Sequence, residues 1–102
     1  MTDLNKISGF EWDEGNIDKS YQKHGITIRE AEEAFLDKHV FLQADIKHSE
    51  KEKRFIAINK TTKNKMLFSI FTIRDRKIRI ISARVANEKE RRLYEEKAKT
   101  NP

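Results

Sequence analysis

The residues best suited to chemistry are the cations of one apolar run, Lys-Ile-Arg-Ile-Ile-Ser-Ala-Arg at residues 77–84. In a regular strand the side chains alternate between faces, so Lys77 and Arg79 share a face. The Ile-Ile pair breaks this alternation and indicates a bulge or a strand end buried on both faces, which leaves the face of Arg84 open. Cations held by an ordered strand can stabilise the negative charge of a phosphate. The alternative is a solvated edge with surface ion pairs, each worth about 0–1 kcal/mol.

The chemistry that such cations support without a metal is cleavage of RNA by its own 2′-hydroxyl. The RNA supplies the nucleophile, and the protein supplies cations, a group that takes the 2′ proton and a group that protonates the leaving oxygen. Arg54 and Arg74, at the ends of neighbouring strand-like runs, can add to the set of cations. Glu52, His24 or a lysine with a lowered pKa could take the proton.

Three further residues have both a structural and a functional interpretation. His24 precedes Gly25 at a predicted helix end, where a histidine complements the helix dipole, and this interpretation is favoured over catalysis. Tyr94 could stack on a base, but packing the last helix on the sheet is favoured. Trp12 is expected to anchor the core rather than to stack on a base.

Other classes of catalytic site have little support in the sequence. The chain has no cysteine, so it has no disulfide and no thiolate metal site. His24, His39 and His48 are too widely spaced for a metal-binding helix face, and Ser82 lacks the glycines of a nucleophile elbow. No glycine-rich loop that could hold phosphates is present. We therefore expect neither a metal nor a cofactor.

Composition and charge favour a single basic domain over residues 1–102. Residues 1–50 carry 6 basic against 11 acidic side chains, and residues 51–102 carry 16 against 6. The second half is therefore strongly basic, and a basic surface speeds the capture of polyanions such as nucleic acids. The absence of cysteine fits the cytoplasm, and we expect no membrane span because no apolar run approaches the roughly 20 residues required.

The elements that must position these residues follow from hydropathy period and turn signals. The hydropathy period and the turn signals predict an α+β fold in the order β-α-α-β-β-β-β-α, with helices packed on a mostly antiparallel sheet. The predicted strands are residues 8–12, 40–44, 54–60, 66–74 and 77–84, and the predicted helices are residues 13–24, a helix capped by Thr27 and a helix that starts at Asn87. The run over 66–73 is almost continuously apolar, so its strand is placed at the centre of the sheet.

Two capping boxes fix the starts of the later helices. Thr27 with Glu30, and Asn87 with Glu90, have the spacing in which each residue bonds the backbone of the other. The spacing of apolar residues then predicts which side chains these helices bury: Ile28, Ala31, Ala34 and Phe35 in the first, and Ala86, Leu93 and Tyr94 at the second.

Taken together, the residues resemble the BrnT family of bacterial type II toxins over roughly residues 10–95. Each short segment is weak by itself, but their order and spacing make the resemblance specific. The matching residues are Phe10-Glu11-Trp12-Asp13, Asn16, Lys23-His24-Gly25-Ile26, Glu30-Ala31, Phe35, Asp37, Glu52, Arg54-Phe55, Arg79-Ile80-Ile81-Ser82-Ala83-Arg84, Ala86, Glu90 and Tyr94-Glu95.

The resemblance implies a RelE-like fold and a ribonuclease that arrests translation by cleaving mRNA, either free or ribosome-associated. It implies a BrnA-like antitoxin as the protein partner, with operator DNA bound only through that antitoxin. It also implies roles for named residues. Arg54, Arg79 and Arg84 would hold or polarise the scissile phosphate, and Lys23, His24, Glu52 and Tyr94 would be candidate acid, base and stacking groups. Independently of the resemblance, we expect the cations Arg74 and Lys77, together with Lys23, to bind the RNA.

The chain departs from the family pattern at two places. It has Asn59-Lys60-Thr61 where many members have a glycine, and Arg84-Val85 where many have two arginines. The first difference could alter a hairpin, and the second removes one cation. The residues alone leave two alternatives to a toxin ribonuclease: a non-catalytic RNA- or DNA-binding module, and a basic interaction protein that binds an acidic partner.

Overall fold

The fold centres on a β-sheet in a computed structural model that describes residues 9–12, 25–45, 47 and 52–100. Its elements are β1 (Gly9–Trp12), α1 (Ile28–Glu33), a 3-10 turn (Ala34–Leu36), β2 (Phe41–Ala44), β3 (Phe55–Lys60), β4 (Met66–Arg74), β5 (Lys77–Val85) and α2 (Glu88–Thr100). The described strands form a five-stranded sheet in the order β1-β5-β4-β3-β2. This confirms a mostly antiparallel α+β fold. The helix predicted over residues 13–24 lies outside the described residues.

The strands β2 to β5 form the antiparallel meander that the sequence predicts. β4 lies at the centre of the five-stranded sheet, as predicted, and its first and last residues are those predicted. The hairpin between β4 and β5 turns on Asp75 and Arg76, whose φ angles of 50° and 61° are both positive. Two-residue hairpin loops favour this left-handed geometry because it matches the twist of the strands. β1 joins the other edge of β5 in parallel register, from Gly9 beside Lys77 to Trp12 beside Ile80.

A bulge in β5 decides which side chains reach each face of the sheet. Ile70 of β4 is opposite Ser82, but Phe71 is opposite Ile80, so Ile81 is the additional residue. An additional residue reverses the alternation of every side chain that follows it. Of the two alternatives that the Ile-Ile pair left open, the strand adopts the bulge, which turns Arg84 to the face of the sheet that Arg79 occupies.

α1 starts as predicted but is short. Both hydrogen bonds of the capping box are present, from the Glu30 amide to the Thr27 hydroxyl and from the Thr27 amide to the Glu30 carboxylate, each 3.1 Å long. Ala31, Ala34 and Phe35 are buried, as predicted. The prediction was wrong for Ile28, which is 37% exposed. The helix ends after six residues, so the stripe that contacts the sheet begins at its second turn rather than at its first residue.

α2 also begins at its predicted capping box. The Glu90 amide donates to the Asn87 side chain and the Asn87 amide to the Glu90 carboxylate, both at 2.9 Å. Ala86 and Tyr94 are buried as predicted, but Leu93 is 38% exposed, so its assignment to the packed side was wrong. Tyr94 directs its ring to the sheet, and its immediate neighbour in the helix therefore points about 100° away.

The two faces of the sheet are covered differently. On one face, Phe71, Leu67 and Ile80 form a core with Ala31 and Phe35 from the α1 segment. Trp12 packs on this core and donates a 3.0 Å hydrogen bond from its indole nitrogen to Glu32, in keeping with the anchor role expected of it. A second, smaller core lies on the opposite face and contains Ile58, Met66, Ala86 and Tyr94. No helix among the described residues is long and apolar enough to cross a membrane.

Candidate RNA-binding face

Cations from three strand segments lie on the face of the sheet that carries the smaller core, which we call the second face. Cross-strand partners point to the same side of a sheet. The register between β4 and β5 pairs Arg74 with Lys77, Thr72 with Arg79 and Phe68 with Arg84. The first two pairs lie before the bulge and the third lies after it, yet all three are on one face. Without the bulge, Arg84 would point into the first core.

Arg54 completes this set from the neighbouring strand. It immediately precedes β3, and its carbonyl accepts a 2.8 Å hydrogen bond from the Asp45 amide. Ile56, two residues further on, is opposite Ile70 of β4 on the second face. Because side chains alternate along a strand, Arg54 lies on that face too. We call the surface formed by Arg54, Arg74, Lys77, Arg79 and Arg84 the basic face.

Apolar side chains lie between these cations. Ile56, Phe68 and Ile70 are half-buried and lie on the same face of the sheet as the cations. Farther along, Ile58 and Met66 are buried under Tyr94 of α2. The basic face therefore extends from the end of the sheet that α2 covers to the opposite end, where Arg74 and Lys77 are exposed and which we call the open end. Cations interspersed with partly exposed apolar groups suit a single-stranded nucleic acid, which offers both phosphates and unstacked bases.

Glu52 lies at the open end of the basic face. Its carboxylate accepts hydrogen bonds of 2.9 and 3.3 Å from the guanidinium of Arg74. The side chains of Glu52 and Arg74 are 32% and 51% exposed, so this ion pair adds little to stability. The structure thus brings together a candidate base and a candidate RNA-binding residue at the rim of the face. A second carboxylate, Glu11 of β1, is in register with Arg79.

Arg84 is held by a carboxylate and an aromatic ring. Its two terminal nitrogens donate to the two carboxylate oxygens of Glu90 at 2.8 and 2.7 Å, and its guanidinium carbon lies 4.2 Å from the centre of the Phe68 ring. Burial alone would raise the pKa of Glu90, but the hydrogen bonds and charge of Arg84 and the Asn87 amide outweigh burial and lower it. Glu90 therefore stays ionised at neutral pH.

Tyr94 is placed as a packing residue. It is 4% exposed, and its hydroxyl donates a 2.5 Å hydrogen bond to the carboxylate of Asp37. Burial, together with the Asp37 carboxylate, raises the pKa of the phenol far above its ordinary value, so the hydroxyl stays protonated. In this position the ring has no free surface for a base, which favours the packing interpretation of Tyr94.

Two predicted site residues, Lys23 and His24, lie outside the described residues. Within the described ranges, no three or more His, Asp or Glu side chains cluster as metal ligands would. The contacts of Glu90 and Phe68 with Arg84 were not predicted. The capping box indicated where Glu90 lies at the helix start, but its second role depends on how β5 turns into α2.

Comparisons with known proteins agree with this architecture. Residues 12–90 match the family described as the ribonuclease toxin, BrnT, of type II toxin–antitoxin systems. A crystal structure of the Brucella abortus ribonuclease toxin BrnT has the same fold, with a TM-score of 0.58 and 23% sequence identity over 78% of this chain and 97% of that one. Among curated proteins, none matches the sequence.

These observations define a class first: a small α+β protein with a cationic sheet face of the kind that binds nucleic acid. Because the family match extends over residues 12–90, the chain belongs to the BrnT family of ribonuclease toxins of type II toxin–antitoxin systems. The resemblance that the sequence segments indicated is thereby confirmed.

Proposed function

We propose that this protein is an endoribonuclease that cleaves mRNA without a metal ion and so arrests translation in the cytoplasm. The observation that carries the proposal is the basic face, where five cations from the segments around β3, β4 and β5 lie on one side of the sheet. Such a face can hold several phosphates of a single strand and stabilise the charge that builds up on one of them.

In the proposed reaction, the 2′-oxygen of one nucleotide attacks the adjacent phosphorus. The bond from the 2′-oxygen to phosphorus forms as the bond from phosphorus to the 5′-oxygen breaks, leaving a 2′,3′-cyclic phosphate and a 5′-hydroxyl. Arg54 and Arg79 would stabilise the extra negative charge on the phosphoryl oxygens. Arg74 and Lys77, at the open end, would bind the flanking phosphates.

Two proton transfers accompany this step. The 2′-hydroxyl must lose a proton, and the 5′-oxygen must gain one. The position of Glu52 supports its role as the base that takes the 2′ proton, because its carboxylate lies at the rim of the basic face, hydrogen-bonded to Arg74. Lys23 and His24, outside the described residues, remain proposed partners for the RNA and for the second proton transfer. Tyr94 has its hydroxyl engaged by Asp37, which supports a structural role instead.

The experiment that tests the proposal is incubation of the purified protein with mRNA in EDTA. We expect fragments that end in a 2′,3′-cyclic phosphate, because the 2′-oxygen is the nucleophile. An RNA of the same sequence with 2′-O-methyl groups throughout is the matched control, and it should stay intact. RNA that is bound but never cut, with or without added ribosomes, would contradict the proposal and favour the binding module.

We also propose that a BrnA-like antitoxin neutralises the protein by covering the basic face with an acidic or amphipathic element. Complementary charge guides such an association, and operator DNA would be bound through the antitoxin. We expect antitoxin and RNA to compete, so that adding RNA releases the antitoxin from a variant in which Glu52 is replaced by glutamine. This can be measured by fluorescence anisotropy with labelled RNA. A ternary complex that still cleaves RNA would contradict the proposed docking surface.

A further inference from the structure

The contacts of Arg84 leave it poorly placed to act as a phosphate clamp. A guanidinium holds a phosphate by presenting two N–H groups side by side. In Arg84 both terminal nitrogens already bind the carboxylate of Glu90, at 2.8 and 2.7 Å, and one of them also donates to the Val85 carbonyl at 3.2 Å. The end of the guanidinium is thus occupied by a paired, charge-assisted interaction. A phosphate that approached the remaining edge, formed by Nε and one terminal nitrogen, would meet a cation whose charge Glu90 already balances.

The carboxylate that holds Arg84 is itself fixed. Glu90 is 12% exposed in its side chain, and one of its oxygens also accepts from the Asn87 amide in the capping box. Releasing Arg84 would leave a mostly buried carboxylate without its cation, which is costly. The ion pair therefore behaves as one neutral unit at the start of α2.

The faces of the guanidinium plane, by contrast, are suited to stacking. The guanidinium lies over the Phe68 ring, with 4.2 Å between the guanidinium carbon and the ring centre, a distance that allows the two groups to stack. The Arg84 side chain is still 37% exposed although its terminal nitrogens are engaged. Arginine planes and aromatic rings are the groups on which proteins stack unpaired RNA bases.

We infer that Arg84 and Phe68 form a platform on which a base of the RNA stacks, and that Glu90 is the positioning residue that keeps the Arg84 plane in place. This inference rests on the proposed RNA-cleaving function and adds a base-recognition site to it. It assigns Arg84 a different task from the phosphate-holding role that the resemblance implies. Purines should be preferred at this site because they offer the larger stacking surface.

Salt dependence separates a stacked base from a held phosphate. Each phosphate that a cation neutralises in a single strand makes the logarithm of the affinity fall more steeply with the logarithm of salt, by a slope of about 0.7. A neutral pair that stacks on a base releases no counterion. The probes are 2′-O-methyl oligoadenylate and oligouridylate of about 12 nucleotides, which cannot be cleaved and cover a typical single-strand site.

The informative variant is Arg84→Gln with Glu90→Gln, which removes the ion pair and leaves the net charge unchanged. Glutamine can replace glutamate in a capping box, so the start of α2 should persist, and thermal unfolding checks this. We expect affinity for oligoadenylate to fall about tenfold, with a smaller loss for oligouridylate and no change in salt slope. The matched control removes the exposed pair of Arg92 and Glu88 on the same helix, and it should change neither affinity nor slope.

Two further variants give reciprocal results. Lys77→Gln removes a proposed phosphate contact, so it should weaken both oligonucleotides equally and reduce the slope by about 0.7. Glu90→Gln alone frees the charge of Arg84, so it should steepen the slope and weaken the preference for adenine.

Three results would overturn parts of this picture. If the double variant reduces the salt slope and weakens both oligonucleotides equally, Arg84 holds a phosphate. If it leaves both affinities unchanged, Arg84 does not touch the RNA; either result overturns the inference while leaving the proposed function standing. If the unmodified protein binds neither oligonucleotide, the proposed function itself fails and the inference fails with it.

Discussion

Replacing Arg79 by alanine is expected to lower the rate of RNA cleavage by at least about 100-fold while the protein remains folded. Removing one preorganised group that stabilises transition-state charge typically costs a factor of this size. Arg79 lies on β5 opposite Thr72, ahead of the bulge and on the same face as Arg54. Its loss would leave the developing charge on the phosphoryl oxygens without one of its two proposed cations.

The measurement is the rate of cleavage of a labelled mRNA in EDTA, beside growth arrest when the variant is expressed. Arg92→Ala is the control, because Arg92 is an exposed cation of α2 whose side chain is 71% accessible. It removes the same charge away from the basic face and should cleave at the unmodified rate. An Arg79→Ala protein that cleaves RNA as fast as the Arg92→Ala protein would show that Arg79 has no part in catalysis.

Much of the sheet could be predicted because its signals are local. The long apolar run of β4 and the short polar turns on either side of it specify an antiparallel meander without reference to distant residues. The capping boxes at Thr27 and Asn87 are also local, and both helices start where those residues predict. Burial on the helices was harder to predict, since it depends on how long each helix continues and on which residue first meets the sheet.

The arrangement of the basic face could be predicted only in part. The Ile-Ile pair left two alternatives, a bulge or a strand end buried on both faces, and the face of Arg84 depended on which of them the strand adopts. Only an additional residue between Arg79 and Arg84 brings these two side chains to the same face. The partners of Arg84 were also hidden, because Glu90 follows a turn whose geometry no short pattern specifies. The link between Asp37 and Tyr94 spans 57 residues, beyond any periodicity in the sequence.

The hydrogen bond between Asp37 and Tyr94 joins the region of α1 to α2, and Asp37 also binds the end of β3. Asp37 follows the 3-10 turn after α1, and its carboxylate accepts hydrogen bonds from the Tyr94 hydroxyl, the Lys60 amide at 2.9 Å and the His39 amide at 3.0 Å. One side chain therefore connects the α1 segment, the end of β3 and α2. A residue that satisfies three donors, two of them on other elements, should matter for stability more than for RNA binding.

Replacing Asp37 by alanine is expected to lower the free energy of unfolding by about 3 kcal/mol at neutral pH. Hydrogen bonds to a charged acceptor are worth about 1.5–3 kcal/mol each, and partial exposure reduces their sum. The matched comparison is Tyr94→Phe, which removes the donor hydroxyl but keeps the ring, the acceptor and the other two hydrogen bonds. It should cost about 1.5 kcal/mol. Urea unfolding of the three proteins at pH 7 measures both differences.

The same experiment in acid tests whether the charge of Asp37 carries this stability. Burial alone would raise the pKa of Asp37, but the hydrogen bonds from Tyr94, His39 and Lys60 outweigh it and hold the pKa below its ordinary value. A carboxyl whose pKa is lowered by folding stabilises the protein above the unfolded pKa, about 3.9, and loses that contribution as the pH falls through the folded pKa. The difference between the unmodified protein and Asp37→Ala should therefore shrink in acid. A difference that is as large well below pH 3.9 as at pH 7 would mean that the packing of the side chain, and not its charge, joins the two helical regions.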